Sequence, residues 1–160
     1  MHRFKFGQAP GVARTLATLM AQDTAALATA RACDVIVPIP TATSRLLERG
    51  YNPSWELVRH LRRQHPLPPA TPDLLLHRHD GPALHTLPKA QRQAAASQLF
   101  SVASERRERV QGAAVLVVDD VMTTGTTALA ATQVLRDAGA RTVHVWVFAR
   151  TPRHDPEGME

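Results

Sequence analysis

The clearest pattern of apolar and polar segments lies in the last third of the chain. Residues 115–118 form a continuous apolar run that is typical of a strand covered on both faces of a sheet. A polar turn is predicted over 119–127, and Gly139 stands where the C′ residue of a following helix belongs. Apolar positions recur between them with helical spacing, at Ala128, Ala131, Leu135 and Ala138. Residues 142–148 predict the next strand, so the region indicates a strand-turn-helix-strand unit in a parallel sheet.

The first part of the chain also alternates between helix and strand patterns. Residues 11–30 combine a helix-favouring composition with apolar positions at helical spacing, which predicts one amphipathic helix. A short apolar run over 34–40 is closed by two prolines and predicts a buried strand that ends in a loop. Ser54 is the predicted cap of a helix over 55–64, which the prolines after it terminate.

The middle of the chain is less regular. Short strands are predicted over 74–76 and 100–102, with a charged turn over 105–109. Residues from about 78 to 99 mix Gly, Pro, His, Lys and Gln with little periodicity, which is typical of a mobile flap. The chain is therefore predicted to be one α/β domain over residues 1–152, followed by a frayed tail over 153–160.

Composition and charge narrow the class of protein without choosing a ligand. The 160 residues are 44% hydrophobic, which suffices for one core, and the formal net charge of +5 favours anionic ligands such as phosphates, nucleotides or nucleic acid. Cys33 is the single cysteine, so this chain forms no disulfide within itself and no cysteine-rich zinc site, which suits a reducing cytoplasm. No signal-peptide pattern and no run of about 18 apolar residues occurs, so we expect a cytoplasmic protein without membrane insertion.

Acidic, hydroxyl and glycine residues follow directly after the predicted strand over 115–118. Ligands of open parallel sheets bind beyond the carboxyl ends of the strands, where this segment would lie. Asp119 and Asp120 can each accept hydrogen bonds from a vicinal diol. The turn that opens the next helix offers hydroxyls and backbone N–H groups for a phosphate, and its residues are Thr123, Thr124, Gly125, Thr126 and Thr127. A diol acceptor beside a phosphate turn matches a ribose 5-phosphate.

Other interpretations of this turn are weaker. A Walker A loop needs a lysine after its last glycine and a dinucleotide fingerprint needs three glycines, whereas Gly125 is alone and no lysine follows it. The simplest alternative is that Asp119 or Asp120 only caps the helix, although capping does not require two aspartates and four threonines. The ligand interpretation requires both carboxylates to be reachable from an open cleft.

Polar and basic residues after the first predicted strand are candidates for a pyrophosphate site. These are Thr41, Arg45 and Arg49, and a guanidinium binds phosphate oxygens bidentately. The alternative is that Arg45 and Arg49 form a solvated i, i+4 face of a short helix. His77 and His79 are a close histidine pair, but no third or fourth ligand is suitably spaced, so no metal held directly by the protein is expected.

Two segments resemble a known family. Residues 117–127 (VVDDVMTTGTT) resemble the motif with which type I phosphoribosyltransferases bind phosphoribosyl pyrophosphate (PRPP). Residues 35–40, then Arg45 and residues 49–52, are similar to the VPVP and RGFN segments of ComF and GntX-like proteins, and the similarity spans about residues 4–150. The resemblance implies a three-layer, mostly parallel type I phosphoribosyltransferase fold with a small flexible hood or flap.

The resemblance also implies a function. Asp119 and Asp120 would bind the ribose hydroxyls of PRPP, the turn from Thr123 to Thr127 would bind its 5-phosphate, and Mg²⁺ would bind through PRPP oxygens. The implied reaction transfers the phosphoribosyl group to a nitrogenous base; no residue is assigned as a catalytic base. ComF-like proteins imply a role in DNA uptake during natural transformation, with single-stranded DNA and competence proteins as partners and a homodimer as the family expectation. The alternative is a non-catalytic module that senses PRPP or a nucleotide, or binds single-stranded DNA.

The chain departs from the family pattern in two respects. ComF proteins usually carry a cysteine-rich zinc-binding N-terminal region, whereas residues 2–6 resemble the stretch that follows it, so we expect that region either to be naturally absent or to have been removed from this chain. His85 and Ala95 stand where family members often have glutamine and asparagine, and Pro53 stands where glutamine is common. The acceptor of the phosphoribosyl group therefore cannot be assigned from these positions.

Overall fold

Helices and strands alternate through residues 10–78 and 99–151, the part of the chain that the computed structural model describes. In chain order they are α1 (Pro10–Met20), α2 (Thr24–Arg31), β1 (Val35–Pro38), α3 (Thr43–Arg49), α4 (Pro53–Gln64), β2 (Leu75–His77), β3 (Phe100–Val102), a 3₁₀ helix (Ser104–Arg109), β4 (Ala114–Met122), α5 (Thr126–Asp137) and β5 (Thr142–Arg150). The predicted flap, apart from its two ends, and the predicted tail lie outside the described residues.

Strand β4 is the centre of a parallel sheet with the order β1-β4-β5. Val35 pairs with Val115 at one end of the β1 register, and Val118 pairs with Trp146 in β5. An isolated parallel bridge between Ile36 and Ala70 adds a short segment beside β1. Because all pairings in this sheet are parallel, the carboxyl ends of β1, β4 and β5 lie at the same edge.

The core lies on both faces of this sheet. Val37 and Val117 belong to a buried cluster that includes α5 and the antiparallel pair β2–β3. Ile36 and Leu116 belong to a second cluster that includes α1, α2 and α4. A strand covered on both faces is apolar at every position, which explains the continuous run at residues 115–118. The predicted three-layer α/β fold is confirmed.

The helix predicted over 11–30 is in fact two helices. Asp23 is the N-cap of α2, and its Oδ1 accepts a hydrogen bond of 2.9 Å from the backbone N–H of Ala26. An N-cap residue has extended rather than helical backbone angles, so α1 ends before it.

The helix after residue 52 begins two residues earlier than predicted. Asn52, and not Ser54, is its N-cap: the Asn52 Oδ1 accepts hydrogen bonds from the N–H groups of Ser54 at 3.0 Å and Trp55 at 3.3 Å. Pro53 occupies the first helical turn, where its missing N–H costs nothing. The Ser54 hydroxyl is therefore not needed to cap its own helix.

The end of α5 agrees with the prediction. Gly139 has φ of 101°, and its N–H donates to the Arg136 carbonyl, while the Ala140 N–H donates to the Leu135 carbonyl. These two bonds form a Schellman motif.

The strand predicted over 115–118 is longer than its apolar run. β4 continues to Met122, because its pairing with β5 extends to Met122 opposite Arg150. Backbone pairing does not depend on apolar side chains, so the polar composition after residue 118 did not indicate that the strand continues. Asp119 and Asp120 are consequently strand residues, and the turn begins only at Thr123.

Candidate functional site

The candidate site is built where β1 and β4 end and α4 begins. The Ile39 N–H donates to the Val118 carbonyl at 2.9 Å, which keeps the chain beside β4 after β1 has ended. The Asn52 side-chain amide donates to the Ile39 carbonyl at 3.0 Å, which fastens the start of α4 to the same place. The Ser54 hydroxyl then donates to the Asp119 Oδ1 at 3.0 Å. The start of α4 and the end of β4 are thus joined through side chains.

The acidic pair at the end of β4 is buried. Asp119 is 8% exposed and Asp120 is 5% exposed. The Asp119 Oδ1 accepts a second hydrogen bond, of 2.9 Å, from the Asp120 N–H. The Asp120 Oδ2 is buried and has no hydrogen-bond partner within the described residues. Because buried polar atoms nearly always have a partner, this oxygen is an unsatisfied acceptor that a ligand could satisfy if it were uncovered.

The burial of the pair differs from the expectation of an open cleft. The sequence interpretation placed both carboxylates in a polar turn, whereas the continued pairing of β4 with β5 holds them within the sheet. In this conformation a diol reaches them only if the groups that cover them move.

Burial also changes the protonation of Asp119. Burial, the negative charge of Asp120 and a side-chain hydrogen bond with Asp120 raise the pKa of this carboxyl, which lies at about 7. The hydrogen bonds from the Asp120 N–H and the Ser54 hydroxyl oppose this rise. The protonated form of Asp119 is therefore much more populated near neutral pH than that of an ordinary aspartate.

The turn after β4 contains a glycine with left-handed backbone angles at the start of α5. Gly125 has φ of 80° and ψ of 0° and is the N-cap of α5, without a side-chain capping bond. The Thr124 and Thr126 hydroxyl oxygens are 2.8 Å apart, and Thr123 and Thr124 are exposed. The hydroxyls and the opening turn of α5 thus lie at the same edge as the acidic pair.

Changing Gly125 to alanine is expected to lower the free energy of unfolding by about 1 kcal/mol, because a side chain disfavours positive φ. A Cβ at this position would meet only the Met122 Sδ at 3.6 Å, so backbone strain and not a clash is the cause. Urea unfolding measures the effect. Gly112→Ala is the matched control, since Gly112 has φ of 71° and open space around it. A loss at Gly125 several times that at Gly112 would contradict this account.

The three pyrophosphate candidates are placed differently. Thr41 is partly buried in the loop after β1, and Arg45 is exposed on α3, a helix with no buried residue. Arg49 is partly buried at the end of α3, before Gly50, whose φ of 77° ends the helix. The alternative interpretation, in which these arginines only form a solvated face of a short helix, therefore fits Arg45 better than Arg49.

The Tyr51 phenol is affected by the charge of Arg49 and by the charge of Asp120, one member of the acidic pair. Burial raises the pKa of the Tyr51 phenol, and the positive charge of Arg49 opposes that rise. The negative charges of Asp120 and Glu56 raise it further. One phenol thus lies within electrostatic range of both a pyrophosphate candidate and a ribose candidate.

Sequence reasoning missed two members of this site. Ser54 was assigned only a capping role, because its contact with Asp119 joins residues 65 apart and no local pattern indicates it. Glu56 is 8% exposed, pairs with Arg59 at 2.8 Å and acts on Tyr51 through its charge, whereas from the sequence an acidic residue in the first turn of a helix indicates only a favourable interaction with the helix dipole.

Outside the candidate site, the described residues contain a pocket. A pocket of about 280 Å³ lies at the far end of α5, where Asp137 and Ala138 line it together with Arg78 and Arg107. Within residues 10–78 and 99–151, no three His, Cys, Asp or Glu side chains are arranged to hold a metal ion. In the same ranges no helix combines the length and the apolar character needed to span a bilayer.

Comparison with known proteins agrees with this geometry. Residues 56–157 match the phosphoribosyl transferase domain family. The DNA utilization protein YhgH of Escherichia coli O157:H7 is 31% identical, and the competence protein F of Haemophilus influenzae is 30% identical. Each alignment includes 94% of this chain, which spans 66% of the length of either relative.

Solved structures show the same fold. The allosteric regulatory enzyme of purine biosynthesis aligns with a TM-score of 0.57 and 20% identity, over 92% of this chain and 30% of that one. The hypoxanthine phosphoribosyl transferase of Trypanosoma cruzi aligns with a TM-score of 0.54 and 14% identity, over 90% of this chain and 76% of that one. At such identities the likeness extends to the fold alone.

Proposed function

The chain belongs to the phosphoribosyl transferase domain family, and within it to the ComF-like proteins, and from this premise we propose that it binds PRPP where β1 and β4 end. The main support is the buried Asp120 Oδ2, which has no partner within the described residues and lies three residues before Thr123, where the turn that opens α5 begins. Leaving a buried acceptor unpaired costs about 1–3 kcal/mol, and a ribose hydroxyl would remove that cost.

Different residues of the proposed site bind different parts of the PRPP molecule. Asp119 and Asp120 accept hydrogen bonds from the ribose hydroxyls once the groups that cover the two carboxylates have moved. Thr123, Thr124, Gly125, Thr126 and Thr127 bind the 5-phosphate through hydroxyls and through the N–H groups at the start of α5. Arg49, with Thr41 and Arg45, neutralises the pyrophosphate.

Mg²⁺ would be bound through PRPP oxygens, as the resemblance to type I phosphoribosyltransferases implies. When bound, it neutralises charge on the pyrophosphate. The reaction that this arrangement supports is transfer of the phosphoribosyl group to a nitrogenous base with release of pyrophosphate. The protein's part is to hold the ribose still and to stabilise the departing anion.

A second candidate function is a non-catalytic module for DNA uptake, which senses PRPP or a nucleotide or binds single-stranded DNA. The names of the two relatives, a DNA utilization protein and a competence protein, favour a connection with DNA. Under either candidate we propose a cytoplasmic protein, a homodimer, that works with other competence proteins.

Isothermal titration of the folded protein with PRPP and Mg²⁺ tests the proposal. We expect saturable binding, and weaker binding of ribose 5-phosphate or pyrophosphate alone, because each occupies only part of the site. No heat from a folded sample would contradict PRPP binding.

An assay for released pyrophosphate, with PRPP and a panel of bases, then separates the two candidates. Release that depends on one base identifies a transferase. PRPP binding without release favours the module, and binding of single-stranded DNA by the same sample would support it further.

A further inference from the structure

The hydroxyl of Ser54 makes its hydrogen bond to a residue outside its own helix. Ser54 is 3% exposed, and its backbone N–H is already bound by the Asn52 cap. Its hydroxyl points across to β4 and donates to the Asp119 Oδ1 at 3.0 Å. This bond is buried, so it is little weakened by competition with water.

Three features hold in place the backbone segment that carries this hydroxyl. The Asn52 side chain accepts from two N–H groups of α4 and donates to the Ile39 carbonyl at the end of β1. Pro53 restricts the backbone immediately before Ser54. The donor is therefore held in place before any ligand arrives, which is the condition for a preorganised site.

Both donors to Asp119 bind the same oxygen. The Ser54 hydroxyl and the Asp120 N–H each donate to Oδ1, at 3.0 and 2.9 Å. Two donors on one oxygen fix the plane of the carboxylate, and neither of them occupies Oδ2. Oδ2 is therefore the Asp119 oxygen that these two donors leave for a ligand.

We propose that Ser54 is a positioning residue, whose hydroxyl orients the Asp119 carboxylate so that its Oδ2 receives a ribose hydroxyl of PRPP. The ribose part of this inference rests on the proposed function. The link between Ser54 and Asp119 does not, and it can be tested without a ligand.

The ligand-free test is an NMR titration of the Asp119 side-chain carboxyl carbon in the wild type and in Ser54→Ala. Removing the hydroxyl is expected to raise the pKa of Asp119, because the Ser54 hydrogen bond lowers it. The charge that acts on Asp119 is that of Asp120 on β4, while Glu56 on α4 and Arg49 at the end of α3 act on Tyr51, and the substitution leaves all three in place. An unchanged Asp119 midpoint would overturn the inference.

The wild type alone provides a second measurement, should Ser54→Ala fail to fold. If the hydroxyl donates to Asp119, the Cβ resonance of Ser54 is expected to titrate with the same midpoint as the Asp119 carboxyl. A Ser54 resonance that does not change through that midpoint would also overturn the inference.

The ligand test compares PRPP affinities by isothermal titration. Ser54→Ala is expected to weaken PRPP binding about tenfold, the usual effect of one hydrogen bond to a charged group. Thr71→Val is the matched control: it removes a buried hydroxyl that has no hydrogen-bond partner within the described residues, and it is expected to leave PRPP affinity unchanged.

The two possible failures are distinguishable. Absence of PRPP binding by the wild type overturns the proposed function, and with it the ribose role of Asp119. Normal PRPP affinity in Ser54→Ala, when the wild type binds PRPP, overturns the positioning role alone.

Discussion

Changing both Asp119 and Asp120 to asparagine is expected to weaken PRPP binding by about 100-fold or more while leaving the protein folded. Each carboxylate accepts a ribose hydroxyl in the proposed complex, and an amide is a weaker acceptor than a carboxylate and presents a donor on its other side. The melting temperature at pH 8 is expected to equal or exceed that of the wild type, because two neighbouring buried negative charges are removed. Isothermal titration and thermal unfolding measure the two effects.

A surface aspartate provides the control for this experiment. Asp137 is exposed at the end of α5, where it accepts a hydrogen bond from Gln133 at 2.8 Å. Asp137→Asn is expected to leave PRPP binding unchanged. Wild-type affinity in the double variant would refute the ribose role of the pair, and an unfolded double variant would show that the pair is structural.

Local sequence patterns predicted the fold because the information needed is local. The apolar run at 115–118, the helical spacing after residue 127 and the glycine at 139 each predict an element or its end, and each is confirmed. The break between α1 and α2 was missed although Asp23 is a capping residue, since the helix-favouring alanines and leucines on both sides dominate the pattern.

The candidate site was predicted less completely, because its details depend on tertiary contacts. The motif identified Asp119, Asp120 and the turn after them, but it gave no sign that β5 would extend the strand and bury both carboxylates. The Ser54 contact joins two distant parts of the chain and cannot be read from either of them. His85 and Ala95, the positions expected to bear on the acceptor, lie outside the described residues.

The buried pair also makes a prediction about stability and pH. The pKa of Asp119 is about 7 in the folded protein against 3.8 for an ordinary aspartate, so the folded state binds this proton more tightly than the unfolded state. The contribution of Asp119 to stability therefore falls as the pH rises from about 4 to about 7, by at most about 4 kcal/mol. Asp119→Asn, which cannot ionise, is expected to lose less stability over this range.

Urea unfolding of both proteins at pH 4.5 and pH 8 measures this contribution as the difference between their two pH dependences. Asp119→Asn should gain stability relative to the wild type at pH 8 and little at pH 4.5. Asp73→Asn is the control: Asp73 is exposed, and its hydrogen bond to Arg106 lowers its pKa, so its titration lies below this range. Equal pH dependences in Asp119→Asn and the wild type would contradict the prediction.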